Sequence, residues 1–160
     1  MPAQDEADQP AREPVRERRY ARSKEMPYQQ ALTSLIIGDI LVFIIFAIIG
    51  DTSHGKVSGL ASVGHSIVVA LPFIVGWFLV APFMGMFRRE LLTQPRAMAI
   101  RTLYAWIPAW VIAMILRGIF FDHGIPAPIF MLIALFFNAA LLEIWRWPFA
   151  LNNAVRKRGV

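Results

Sequence analysis

The sequence predicts an all-α membrane protein: a bundle of four transmembrane helices, both termini on the cytoplasmic side, behind a disordered N-terminal tail. Three observations predict it. Of the 160 residues, 57% are hydrophobic and only 17% charged, with a mean hydropathy of +0.52. That is more apolar surface than a soluble domain of this length can bury. The apolar residues gather in four long runs, and fourteen of the sixteen Lys and Arg residues fall on one side when those runs are laid alternately across a bilayer.

Residues 1–28 carry six Lys or Arg, six Asp or Glu and four Pro, without apolar periodicity. Such a stretch cannot offset the entropy of ordering it, so a disordered cytoplasmic tail is expected. The alternative is a short amphipathic helix on the lipid headgroups, using Arg16, Arg18, Arg19 and Arg22 and weakened by the interspersed acids. A transmembrane domain is expected over 29–151, with helices at 32–49, 67–87, 102–121 and 129–149, and a basic cytoplasmic tail over 152–160. At about 1.5 Å per residue each helix spans about 27 to 32 Å, the thickness of a hydrocarbon core. Backbone groups in lipid must be paired within the segment, and a few strands cannot close a barrel, so helices are the permitted form. The first run is too long for a signal-peptide core and no Ala-x-Ala follows it, so it is expected to remain as an anchor.

Six basic residues precede the first helix. Arg88, Arg89, Arg96 and Arg101 lie between the second and third, and Arg146, Arg156, Lys157 and Arg158 close the chain. The other two connections, 50–66 and 122–128, hold only Lys56, with Arg117 near the end of the third helix. The positive-inside rule makes the richer side cytoplasmic, and Trp145, Trp147 and Tyr104 then fall where an inner aromatic belt is expected. The outer connections share a pattern, Asp51-Thr-Ser-His54-Gly55 and Asp122-His123-Gly124, each followed by a Pro-containing helix ending in Arg. A parallel two-helix duplication produces such a pattern, but Asp, His and Gly are also ordinary loop residues.

Lipid supplies no hydrophobic drive between helices, so close approach relies on small residues and interhelical polar contacts. Ala105, Ala109 and Ala113 recur every four residues on the third helix, and Arg117 continues the stripe toward protein. The second offers Gly76, Ala81 and Gly85, and the fourth Ala139 and Ala140 beside Glu143. Pro72 and Pro82 in the second helix and Pro108 in the third predict kinks.

Ionisable groups inside a membrane point to function because each is costly there unpaired. Asp39 lies about 10 Å into the first predicted helix and Glu143 about 9 Å from the end of the fourth, on the same side, so the two share a depth. They form a candidate intramembrane polar site with Arg146. One reading is a proton or cation site; the other is structural neutralisation, Glu143 by Arg146 three residues on, and Asp39 by Arg101 or Arg88. At the outer face Asp51, Arg117 and Asp122 form a second candidate cluster, suited to clamping loops or attracting an anion.

His54, His65 and His123 are expected in outer loops, none within a predicted helix and none at ligand spacing, so no metal site and no interhelical haem are expected. There is no cysteine, which removes disulfide and thiolate chemistry. No P-loop, zincin or nucleophile-elbow motif occurs, so neither cofactor nor enzymatic activity is expected. The net charge of +5 sits between and beyond the apolar runs, not along one polar surface, which argues against nucleic acid.

Gly38-Asp39, Gly50-Asp51 with His54, and Pro72-Phe73-x-x-Gly76-Trp77-x-x-x-x-Pro82-x-x-Gly85 resemble the prokaryotic membrane protein family called domain of unknown function 3054. Trp110, Arg117-Gly118 and Trp145-Arg146 fit as well, so the likeness covers about residues 35–147, the second-helix pattern being its most specific part. The resemblance implies a four-helix protein of the cell membrane of a bacterium or archaeon, and brings no activity with it.

Two functions are compatible with these residues, and the acids at one depth together with the kinked second helix favour the first. One is a small oligomeric transporter or channel for protons or small ions, with a second copy of the chain completing the pathway that four helices are too few to enclose. The other is a non-catalytic membrane subunit or assembly factor whose basic loop and tail meet a membrane protein partner. In both the lipid bilayer is the principal partner.

Overall fold

The computed structural model describes residues 27–53 and 60–158. The N-terminal tail with its amphipathic alternative, residues 54–59 of the first outer connection including His54, and the last two residues lie outside that range. Among the described residues there is no strand, and four α-helices make up the molecule: α1 Tyr28–Ser53, α2 Leu60–Val80, α3 Pro95–Arg117 and α4 Pro128–Arg158. A short 3₁₀ turn, Leu91–Thr93, precedes α3, and a π turn, Gly118–Asp122, follows it.

The helix bounds differ from those read from hydropathy, for identifiable reasons. The regular part of α2 stops at Val80, not residue 87, because Pro82 lacks an N–H and its ring crowds the carbonyl four residues back. Pro82 therefore ends the helix and does not kink it. A last turn is closed by Gly85 N–H donating to the Pro82 carbonyl (3.0 Å) and Met86 N–H to the Ala81 carbonyl (3.0 Å), the paired bonds of a Schellman cap. Gly85 sits at φ +67°, a left-handed conformation that a side chain would strain, so it serves as a cap and not as a helix-packing position. α3 starts seven residues earlier than expected, with Pro95 at its first turn, where a missing N–H costs nothing. α4 continues through the expected tail to Arg158: Ala150 and Ala154 remain buried, and the helix packs against the 3₁₀ turn.

The helices pack in a ring, each against its chain neighbours and α4 against α1. Gly76 lets α2 close on α3; a Cβ there would lie 2.5 Å from the Ala109 carbonyl oxygen. Ala105, Ala109 and Ala113 are all fully buried, as their spacing predicts. On α4, Ala139 packs against the core, whereas Ala140 is exposed and takes no part in the contact face. Two indoles tie α3 to α4: Trp106 Nε1 donates to the Leu135 carbonyl (2.8 Å) and Trp110 Nε1 to the Met131 carbonyl (3.1 Å). Phe43 is stacked with Phe73 and Trp106 at the centre.

Besides the apolar core, several polar side chains lie inside and many large apolar ones outside. Asp39, Ser66, Thr102, Asn138 and Arg146 are buried, whereas Ile37, Ile100, Ile107, Phe136 and Ile144 are exposed. Water disfavours that distribution and lipid favours it. By length and composition three helices can cross a membrane, over Tyr28–Asp51, Pro95–Asp122 and Pro128–Lys157. The second helix, expected as a full span, has a shorter described apolar stretch, Gly64–Val80.

Candidate functional site

α1 buries Ala31, Leu35, Asp39, Phe43 and Ala47, spaced by four, so a carboxylate occupies the face that otherwise carries the apolar core. α4 does the same with a cation. Ala134, Asn138, Leu142, Arg146, Ala150 and Ala154 form one buried row, with Arg146 fully covered. Where the two rows meet, Arg146 Nε donates to Asp39 Oδ1 (2.8 Å) and Nη2 donates to Oδ2, a two-pronged match of guanidinium to carboxylate. Trp77 on α2 donates its Nε1–H to Asp39 Oδ2 (3.0 Å), and the Arg146 guanidinium lies 4.7 Å from the Trp77 ring centre. Arg146 Nη1 faces the Met98 sulfur at 3.7 Å, and the Phe87 ring lies on another side. Every charged atom of the carboxylate is therefore occupied, in a cluster that joins α1, α2 and α4 and excludes solvent.

Close backbone approach makes this geometry available. A Cβ on Gly38 would overlap the Trp145 indole, so a residue without a side chain gives α4 room to lie against α1. Gly38-Asp39 thus mates with Trp145-Arg146: the glycine receives the indole and the aspartate the guanidinium. Trp145 consequently packs between helices instead of joining an interfacial belt, whereas Tyr104 and Trp147 are exposed.

Several expectations need correction. Arg146 neutralises Asp39, across 107 residues, and neither Arg88 nor Arg101 does; both are exposed. Glu143 does not join the cluster. It lies half-buried on the adjacent row of α4, its Oε1 enclosed without a hydrogen-bond partner. The outer cluster divides in two. Arg117 Nε pairs with Asp122 Oδ2 at 3.0 Å, and its guanidinium lies 4.2 Å from the Phe130 ring centre. Asp51 instead accepts a hydrogen bond from Ser66 Oγ (2.6 Å), with His65 Nε2 3.8 Å from its other oxygen. His65 is exposed and lies within α2, not in a loop, because that helix begins at Leu60. Among the described residues no three His, Asp or Glu side chains gather as a metal site.

Trp77, Thr102 and Asn138 were not singled out as polar partners by sequence reasoning. All three are fully buried, and the Thr102 hydroxyl and Asn138 Oδ1 have no hydrogen-bond partner. The usable signal was position: Asn138 lies two helical steps of four before Arg146, and Thr102 three residues before the Ala105 stripe.

The pattern of the family described as "Protein of unknown function (DUF3054)" matches residues 36–149, which include every residue of the mated Gly38-Asp39, Trp77 and Trp145-Arg146 cluster. No curated protein and no solved structure matches the chain.

Proposed function

The chain belongs to the family of proteins of unknown function DUF3054, and on that premise we propose that it is a non-catalytic, multi-pass protein of a prokaryotic cell membrane that docks a membrane protein partner through its basic end. One observation carries the choice: the carboxylate best placed to serve as a proton or ion site, Asp39, is saturated and fully buried against Arg146 and Trp77. A carboxylate held at both oxygens by a guanidinium and an indole, and closed off from solvent, is placed to hold helices together. Arg88 and Arg89 are exposed beyond α2, and α4 carries exposed Arg156 and Lys157 at its far end. Tyr28 at the start of α1 lines the same cleft as Arg156 and Lys157, so the described chain begins and ends at that one end of the molecule. By the positive-inside rule it is the cytoplasmic end.

Transport of protons or small ions by an oligomer is the second reading, favoured by the enclosed, unpartnered Glu143 Oε1. One pair of measurements separates the two. Affinity capture of the full chain in mild detergent is expected to return a stoichiometric partner, and proteoliposomes are expected to show no more proton or cation flux than empty ones. Recovery of the bare chain, together with flux that disappears in Glu143→Gln, replaces the docking reading with transport.

A further inference from the structure

The link between α2 and α3 folds over the beginning of α1 and the far end of α4, and the three enclose a cleft of about 300 Å³. That volume is at the lower end of small-molecule sites. Arg89 comes from the link, Arg156 and Lys157 from α4, and Asn153 lies one turn before Arg156 and Lys157 on the same helix. Other arginines at this end, Arg88 and Arg96, are exposed and do not line the cleft. A charge bias that only orients the chain in a membrane has no need to bring cations from separate elements onto one hollow.

The rest of the lining narrows the chemistry. Asn153 lines the cleft with a neutral polar side chain, while its Nδ2 is enclosed without a hydrogen-bond partner among the described residues. Tyr28 is already committed: its hydroxyl donates to the Phe87 carbonyl (2.7 Å) and braces the cleft wall. Leu92 and Ala31 supply an apolar side, and among the described lining residues Glu90 is the one carboxylate beside three cations. A ligand that fits presents several acceptor oxygens with negative charge, and its substituent can offer a hydroxyl or ammonium to Glu90.

We propose that this cleft binds a phosphate group, with Arg89, Arg156 and Lys157 neutralising its charge. Guanidinium and ammonium groups make their strongest hydrogen bonds to such oxygens. The phosphate comes either from the headgroup of an anionic phospholipid or from a soluble phosphate compound. The inference stands on the cleft alone and is independent of whether the chain docks a partner.

The test uses the purified full chain in detergent micelles. One arm titrates phosphatidylglycerol into the micelles and reads retained lipid by native mass spectrometry. The other titrates inorganic phosphate and pyrophosphate and reads thermal stability. Binding is expected in at least one arm: lipid alone assigns the headgroup, and pyrophosphate or phosphate assigns a soluble ligand. Arg89→Gln/Arg156→Gln is expected to weaken binding by about tenfold or more, while Arg88→Gln/Arg96→Gln, with the same loss of charge, changes it by less than about twofold. Asn153→Asp, nearly isosteric and placing negative charge in the hollow, is expected to reproduce the loss even if the double arginine variant fails to fold. Absence of binding in both arms, or equal weakening by the Arg88/Arg96 variant, overturns the proposal.

Discussion

The two described Arg–Asp ion pairs, one midway along α1 and α4 and one at the far end of α3, use the same chemistry for different purposes. Arg146 and Asp39 are 107 residues apart, fully buried, and reinforced by an indole N–H and a stacked ring. Arg117 and Asp122 are five residues apart, with side chains 18% and 31% exposed, and the pair closes the π turn at the end of α3. The first pair determines which face of α4 meets α1. The second holds a local turn that backbone bonding already shapes, since Gly124 N–H donates to the Gly118 carbonyl. Burial and sequence separation, more than ion-pair geometry, set the structural consequence of a salt bridge.

The widest gap between the two pairs should come from breaking the buried one. Asp39→Ala or Arg146→Ala leaves one charge enclosed without its partner and is expected to cost about 3–5 kcal/mol, measured by reversible unfolding in mixed micelles. Asp39→Leu/Arg146→Met removes both charges and is expected to recover most of that loss. A double variant as unstable as either single one would mean that shape, and not charge pairing, joins α1 to α4.

A smaller effect tests the approach that makes the pair possible. Gly38→Ala inserts a methyl where the Trp145 indole lies, and overpacking of this kind costs about 1–3 kcal/mol. The Trp145 fluorescence, obtained by difference from Trp145→Phe, should shift as the indole is displaced. Gly38→Ala/Trp145→Leu should restore stability. Unchanged emission and unfolding in Gly38→Ala would remove the close contact from the account.

The smallest change is expected at the other pair. Asp122→Asn leaves Arg117 with its contact to Phe130 and partial access to solvent, so a loss of about 0–1 kcal/mol is expected, shrinking further as salt is raised. A loss as large as that of Asp39→Ala would make the two pairs equivalent and undo the comparison.

Much of the architecture was legible along the chain. The alanine stripe of α3 was readable because small residues at four-residue spacing lie on one helix face. The start of α4 was readable too, within one residue, because the Pro-rich connection stops where the apolar run begins. Its end was not: hydropathy falls after Leu151, at Asn152, but the helix continues to Arg158 while Ala154 still has something to pack against. Within the candidate site Asp39, Glu143 and Arg146 were all visible as intramembrane ions, yet their pairing was misread. A three-residue separation on one helix made Glu143–Arg146 the obvious local pair, and no local rule reveals that α1 supplies a better acceptor.

The sequence by itself determined an all-helical chain with apolar helices suited to a membrane, basic residues concentrated toward one end, and a family likeness carried by the residues of the buried cluster. Those properties accumulate residue by residue, and the thickness of lipid sets the scale against which they are read. Only the tertiary structure decided that Asp39 belongs to Arg146 and Trp77. Arg88, Arg101 and Arg146 offer the same chemistry, and the choice among them depends on how each helix is rotated about its own axis. Two neighbouring contacts fix that rotation together: the Asp39–Arg146 pair, and the bare Gly38 backbone against an indole 107 positions away.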